Sequence, residues 1–208
     1  MKLAVLGATG GTGLEIVRRA VEQGHSVTAF VRSTERLKPF LDRITVRQGD
    51  LLNSNELAEA IRDHEAVLSG FGPRLPISKT DEDLLHRFAL TLISAMHHAG
   101  VRRVVVESTA FLFKDSIVPP TYLFGRLFFS GVVVDASAME HVLRKSGLDW
   151  TIVRPPKLTD SPYTGKYRVR KGHLPRFGFN ISRADVADCF IKAVKNPATI
   201  GKVLGASN

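Results

Sequence analysis

Apolar positions change rhythm twice within the first twenty-odd residues. Leu3, Ala4, Val5 and Leu6 form an unbroken apolar run, as in a strand buried on both faces. After Gly7, Gly10 and Gly13, the residues Leu14, Ile16, Val17, Ala20 and Val21 recur at helical spacing, with Glu15, Arg18, Arg19, Glu22 and Gln23 between them. The same alternation continues down the chain. Strands are predicted over 26–31, 44–48, 66–69, 103–107, 150–153 and 202–204, with an exposed strand over 167–170. Helices are predicted after Gly13, from about Ser54, along the stripe Leu84, Leu85, Phe88, Ala89, Leu92, Ile93 and Met96, and over 136–145. A last helix starts at Ser182, with Asp185 three residues on as in a capping box, and stops at Asn196-Pro197. Strands alternating with helices predict an α/β fold, a doubly wound Rossmann-type parallel sheet with helices on both faces. At 208 residues the chain is expected to be a single domain, 1–208, with the substrate site in its C-terminal part, about 108–180.

Strand, glycine turn and helix in succession give the glycines their meaning. Glycine lets the chain turn tightly and lets backbone approach a pyrophosphate, while the helix N-terminus offers free N–H groups and a positive dipole end. Gly7, Thr9, Gly10, Gly11, Thr12 and Gly13 are therefore candidate cofactor-binding residues. At the tip of the second strand, where an enzyme using NAD usually has Asp or Glu, stand Arg32, Ser33 and, one helical turn on, Arg36. An arginine there accommodates the 2′-phosphate, so the expected cofactor is NADP(H). Ligands in such sheets lie beyond the carboxyl ends of the strands. Those ends add Asp50 and Leu51 at the adenine edge, Gly70, Phe71 and Gly72 beside ribose and pyrophosphate, Ser108 and Thr109 near the nicotinamide, and Pro155, Pro156 and Lys157. For Gly70–Gly72 a simple loop is the alternative.

Many dehydrogenases of related fold use a Tyr-x-x-x-Lys pair on adjacent turns of a helix. The literal match, Tyr167 and Lys171, falls in a segment that reads as extended, where the two would stand roughly 13 Å apart at strand rise. It is rejected as a catalytic pair.

The spacing Gly-Ala-Thr-Gly-Gly-Thr-Gly resembles the G-x-x-G-x-x-G of the extended and atypical short-chain dehydrogenase/reductase superfamily. With Val31-Arg32-Ser33, Ser108-Thr109-Ala110-Phe111-Leu112, Val118-Pro119-Pro120, the run 142–148, Pro155-Pro156 and Thr164-Gly165-Lys166-Tyr167, nearly the whole chain resembles the atypical members with an NmrA-like fold. The likeness is greatest to the biliverdin IXβ reductase/flavin reductase (NADPH) group. That resemblance implies NADPH dependence, reduction of flavins or linear tetrapyrroles, and no Tyr/Lys pair. It matches the family's active-site serine to Thr109, with Ser108 beside it. Where the family often has histidine after Pro-Pro, this chain has Lys157, which can hold an anionic group but is no near-neutral acid. Ser108, Thr109 and Lys157 are the candidate catalytic residues.

Charge and cysteine content narrow the alternatives. A net charge of +9 is compatible with nucleic acid, but Lys and Arg are scattered and no recognised nucleic-acid motif accompanies them. The expected partner is a small molecule, a flavin, quinone or tetrapyrrole, drawn in by long-range attraction, with neither nucleic acid nor membrane. The single cysteine, Cys189, lies on an apolar stripe and reads as a buried structural thiol. His97 and His98 lack the company of a metal site, and no metal is expected. The strand so near Met1 leaves no room for a leader, and a cytoplasmic location is expected. Residues 111–134 read as irregular and apolar, a flap, an oligomer patch or a buried loop; a monomer or homodimer is expected. Three functions stay open: an NADPH-dependent reductase, a non-catalytic NADP(H)-sensing regulator, and a nucleic-acid binder.

Overall fold

The computed structural model describes residues 1–72, 83–113 and 130–208. Its strands are β1 (Lys2–Leu6), β2 (Ser26–Val31), β3 (Thr45–Gln48), β4 (Ala66–Ser69), β5 (Arg103–Glu107), β6 (Asp149–Arg154), β7 (Lys157–Thr159), β8 (Arg168–Lys171), β9 (Asn180–Ser182) and β10 (Lys202–Ser207). The helices are α1 (Gly11–Glu22), α2 (Ser54–Ile61), α3 (Leu84–Ala99), α4 (Ser130–Lys145) and α5 (Arg183–Lys195). One eight-stranded sheet runs β3-β2-β1-β4-β5-β6-β10-β8, parallel except for β8, and β7 pairs with β9 apart from it. The expected doubly wound architecture is thus observed.

Side-chain alternation in the strands divides the core in two. Leu3 and Val5 of β1, with Ala29, Leu68, Val105 and Val153, face α1 and α5. Ala4 and Leu6, with Phe30, Val67, Val104 and Ile152, face α2, α3 and α4. Both faces are covered, which is why the central strands carry near-continuous apolar runs, Leu3–Leu6 in β1, Ala66–Leu68 in β4 and Val104–Val106 in β5, instead of alternating with polar residues. The strand order reverses between β1 and β4, where the ligand crevice of such a sheet opens.

Three sequence expectations need correction. The helix expected over 136–145 is already formed at Ser130, the first residue described after 113; residues 114–129 lie outside the described residues. Gly131 and three valines are poor helix formers, which hid this turn. Tertiary structure supports it: Asp135 accepts hydrogen bonds from the N–H groups of Leu85 (2.8 Å) and His86 (2.9 Å), capping α3 from α4. The three-residue strands β7 and β9 and a 3₁₀ turn over Glu35–Phe40 were too short for periodicity to reveal. The last strand runs on to Ser207. The expected N-cap did form, with Ser182 Oγ accepting from Asp185 N at 3.0 Å, while the Asp185 carboxylate accepts from the Ser182 hydroxyl and from Thr164 and Gly165.

Candidate active site

Beyond β1 the chain turns through Gly7 at φ +69°, the left-handed region open to glycine. Any Cβ on Gly13 would overlap the Gly7 carbonyl oxygen, and one on Gly70 would stand 2.9 Å from Gly13 N. The ends of β1 and β4 therefore nest against the first turn of α1 with no room for a side chain. Gly10 N donates to Gly7 O (2.8 Å) and Leu14 N to Gly10 O (3.0 Å), while Gly10 itself has no side chain to cap the helix. That leaves the opening N–H groups of α1 for a ligand, the arrangement that receives a pyrophosphate. The residues present fit the expected dinucleotide.

Arg36 Nη1 donates to Thr9 O at 2.6 Å, fixing a guanidinium over the glycine loop, and Arg32 and Ser33 stand exposed just after β2. Asp50 closes a local turn, its Oδ1 accepting from Leu52 N (3.0 Å), and Leu51 is buried beneath it. Phe71 leaves β4 against Phe88 with ring centroids 4.5 Å apart; Gly72 is exposed. A cleft of about 480 Å³ runs along the outer face of α1 from Gly11, past Arg36 and Arg183, to Tyr163. It adjoins the glycine loop but does not include Ser108, Thr109 or Lys157.

The second cluster forms where β5 and β6 end. Ser108 N donates to Val153 O (2.8 Å) and Ala110 N to Pro155 O (3.0 Å), so Ser108, Thr109 and Pro155 are brought together by backbone pairing. Lys157 follows on β7 with its side chain exposed. Ser108 Oγ donates to Glu140 Oε1 at 2.7 Å, and the same carboxylate takes Arg154 Nε (2.8 Å) and Nη2 (2.6 Å) and Arg144 Nη2 (2.9 Å). Burial pushes the Glu140 carboxyl up, but the hydrogen bonds and charge of Arg154, with Ser108 and Arg144, outweigh it and hold the group below the usual carboxylate range. With its proton directed to Glu140, Ser108 offers a ligand only its acceptor lone pairs. Thr109 Oγ1 accepts from Phe111 N (3.3 Å), which leaves its O–H to donate.

Glu140, Arg154, Glu107 and Arg183 were absent from the sequence-derived site. A signal for one existed: Glu140 falls on the stripe Ala136, Met139, Leu143, where a charge implies a buried partner. Glu107, the last residue of β5, accepts from Thr12 Oγ1 at 3.1 Å.

Tyr167 and Lys171 lie on extended chain, as the periodicity required. Tyr167 Oη donates to Asp188 (2.8 Å), which also takes Arg19 Nε (3.0 Å) and Lys192 Nζ (2.8 Å). Burial first, then Cys189 and Asp188, push the phenol well above its ordinary range, so it is a structural strut. Cys189 is buried and its thiol is pushed up to about 12 by burial. Thr164 and Gly165 are pinned by Asp185, which accepts from both backbone N–H groups (3.0 and 2.9 Å). Among the described residues no group of His, Cys, Asp or Glu is placed to hold a metal, and no helix is long and apolar enough to cross a membrane.

A model of the NAD(P)H-binding family matches residues 7–197, from the glycine loop to the end of α5. The chain belongs to that family. An uncharacterised chloroplastic protein of Arabidopsis thaliana is 32% identical over 213 residues, covering 98% of this chain and 75% of that protein. A short-chain dehydrogenase/reductase of Veillonella parvula DSM 2008, solved in complex with NADP, has the same fold, at TM-score 0.81, 21% identity and coverage of 100% of this chain and 94% of that one. The anaerobilin reductase ChuY of Escherichia coli O157:H7 shares it at TM-score 0.80, 23% identity and coverage of 100% and 97%. The expected NADP(H) agrees with the family.

Proposed function

We propose that the protein is an NADPH-dependent reductase that passes hydride to a flavin, a quinone or a linear tetrapyrrole. The observation that carries this reading is the backbone zipper joining Ser108, Thr109 and Pro155 at the ends of adjacent strands, beside the glycine cradle and with no Tyr/Lys pair on α4. Bound NADPH supplies the hydride. Arg32 and Arg36 hold the 2′-phosphate, the α1 N-terminus the pyrophosphate, and Ser108 accepts from the carboxamide N–H. Thr109 donates to the substrate, and Lys157 holds a substrate phosphate or carboxylate. No residue of this set is a near-neutral acid, which suits acceptors such as flavin N5 that take their proton from water; positioning then supplies most of the catalysis. Anaerobilin reductase activity in a protein of the same fold supports the tetrapyrrole arm of the proposal.

A second reading, an NADP(H)-binding regulator without turnover, draws on the engagement of both hydroxyls by protein partners, Ser108 with Glu140 and Thr109 with Phe111 N. Steady-state oxidation of NADPH against FMN, quinones and biliverdin, with the reduced product identified, separates the two. The reductase reading expects saturable turnover with at least one acceptor. Tight NADPH binding with no acceptor reduced overturns it in favour of the regulator.

A further inference from the structure

Glu107 ends β5 with its side chain toward α1 and α5, the side of the sheet opposite to Ser108. Its Oε1 accepts the Thr12 hydroxyl at 3.1 Å. A carboxyl group thus stands against the first turn of α1, the turn whose N–H groups face the phosphates of the dinucleotide. Little offsets its charge. Among the described residues, Arg183 of α5 is the one cation that acts on it, and Arg183 is itself paired with Asp160 at 2.6 Å. Asp185, also on α5, is bonded to Thr164, Gly165 and Ser182. The first turn of α1 is Gly11, Thr12, Gly13 and Leu14, with no ionisable side chain, and Glu15 pairs with Arg18. On β6 the arginine, Arg154, turns to the other face onto Glu140, and β4 ends in uncharged Ser69.

We propose that Glu107 is a proton-binding member of the cofactor site: seating the pyrophosphate on the first turn of α1 draws proton from solvent onto Glu107, so that affinity for the dinucleotide falls as pH rises. The proposal rests on the binding of NAD(P)H at the glycine loop. An ionised carboxylate and a pyrophosphate sharing one helix N-terminus repel, and neutralising the carboxylate removes the repulsion. Once protonated, the carboxyl can donate to Thr12 Oγ1 or to a phosphate oxygen. The free protein is already poised for this, since burial raises Glu107 to about 7 against the opposing effects of the Thr12 bond and Arg183.

The test is calorimetric titration of the full chain with NADP⁺ in buffers of different ionisation heat. If the phosphates raise Glu107 by about one further unit, binding at pH 7.5 takes up roughly half a proton, and affinity weakens roughly five- to tenfold between pH 6.5 and 9. Glu107→Gln, which keeps the shape and can donate to Thr12, should bind NADP⁺ with no proton uptake and lose that dependence. Binding without proton uptake in the unmodified protein, or equal uptake in Glu107→Gln, overturns the proposal. The measurement on the unmodified protein stands without the variant if Glu107→Gln does not fold. Failure of NADP⁺ to bind at any pH overturns instead the reading of the glycine loop, and this proposal with it.

Discussion

Replacing Glu140 by Gln removes one charge from the centre of a buried network and leaves its shape. Glu140 is 3% exposed and Arg154 9%, so the guanidinium is left with little solvent and no counter-charge. Gln also places an amide N–H₂ where a carboxylate oxygen took Arg154 or Ser108, opposing donor to donor. Breaking a buried pair from one side costs about 3–5 kcal/mol. For a chain of this size each kcal/mol lowers Tm by about 2–4 °C, so thermal melts should show a fall of roughly 6–20 °C. The double variant Glu140→Met with Arg154→Leu separates charge from packing. Removing both members also removes the desolvation penalty of the pair, so most of the lost stability should return. The Ser108 proton, however, keeps no acceptor, and single-turnover hydride transfer should stay slow in both variants. A Tm within 2 °C of the parent for Glu140→Gln would refute the stability argument. A double variant with the full hydride-transfer rate would refute the role given to Ser108.

Arg32→Asp should erase or invert the preference for NADPH over NADH, because a charge-assisted contact to the 2′-phosphate is worth about 1.5–3 kcal/mol, or roughly ten- to a hundredfold; equal affinities in the unmodified protein would contradict this. Thr109→Val should slow hydride transfer with little change in Tm, since the one described bond of its hydroxyl is a 3.3 Å cap on a three-residue turn; a lower Tm with an unchanged rate would make the hydroxyl structural. Lys157→Ala should raise KM for FMN more than for an uncharged quinone, as loss of a contact made equally in ground and transition states does. Melts across pH should show opposite contributions from three carboxyl groups. Glu140 and Asp188 are held below the usual range, so their contribution is complete above about 4 and lost as pH falls further; Glu107 is raised to about 7, so its contribution is lost as pH rises from about 4.3 through 7. Glu107→Gln should flatten the alkaline side.

The layers of this fold were legible because each strand of the main sheet and each helix runs for four or more residues in its own pattern, whereas β7 and β9 are only three residues long. The cofactor loop was legible for a different reason: Gly7 and Gly10 join a strand to a helix whose first turn holds Gly13, and only that context makes the spacing chemical. Ser108, Thr109 and Pro155 could be listed from strand ends, yet their meeting depends on backbone bonds from Ser108 to Val153 and from Ala110 to Pro155, which no local pattern encodes. Arg154 was missed because it looks ordinary alone, and Glu140, though it interrupts an apolar stripe, names no partner; the pair exists only once β6 packs beneath α4. Glu107 was hidden in an apolar run, and its partner Thr12 lies 95 positions earlier. The early turn of α4 was invisible to propensity, since the bonds from Asp135 to α3 that support it are tertiary.

Rapid mixing of the NADPH-loaded protein with FMN, using NADPH carrying hydrogen or deuterium at nicotinamide C4, addresses the central claim most directly. A reductase predicts loss of NADPH absorbance in step with flavin reduction, slower with deuterium, and slower again in Thr109→Val. Stable NADPH absorbance with FMN, quinone and biliverdin alike, in protein shown to hold the cofactor, would contradict it.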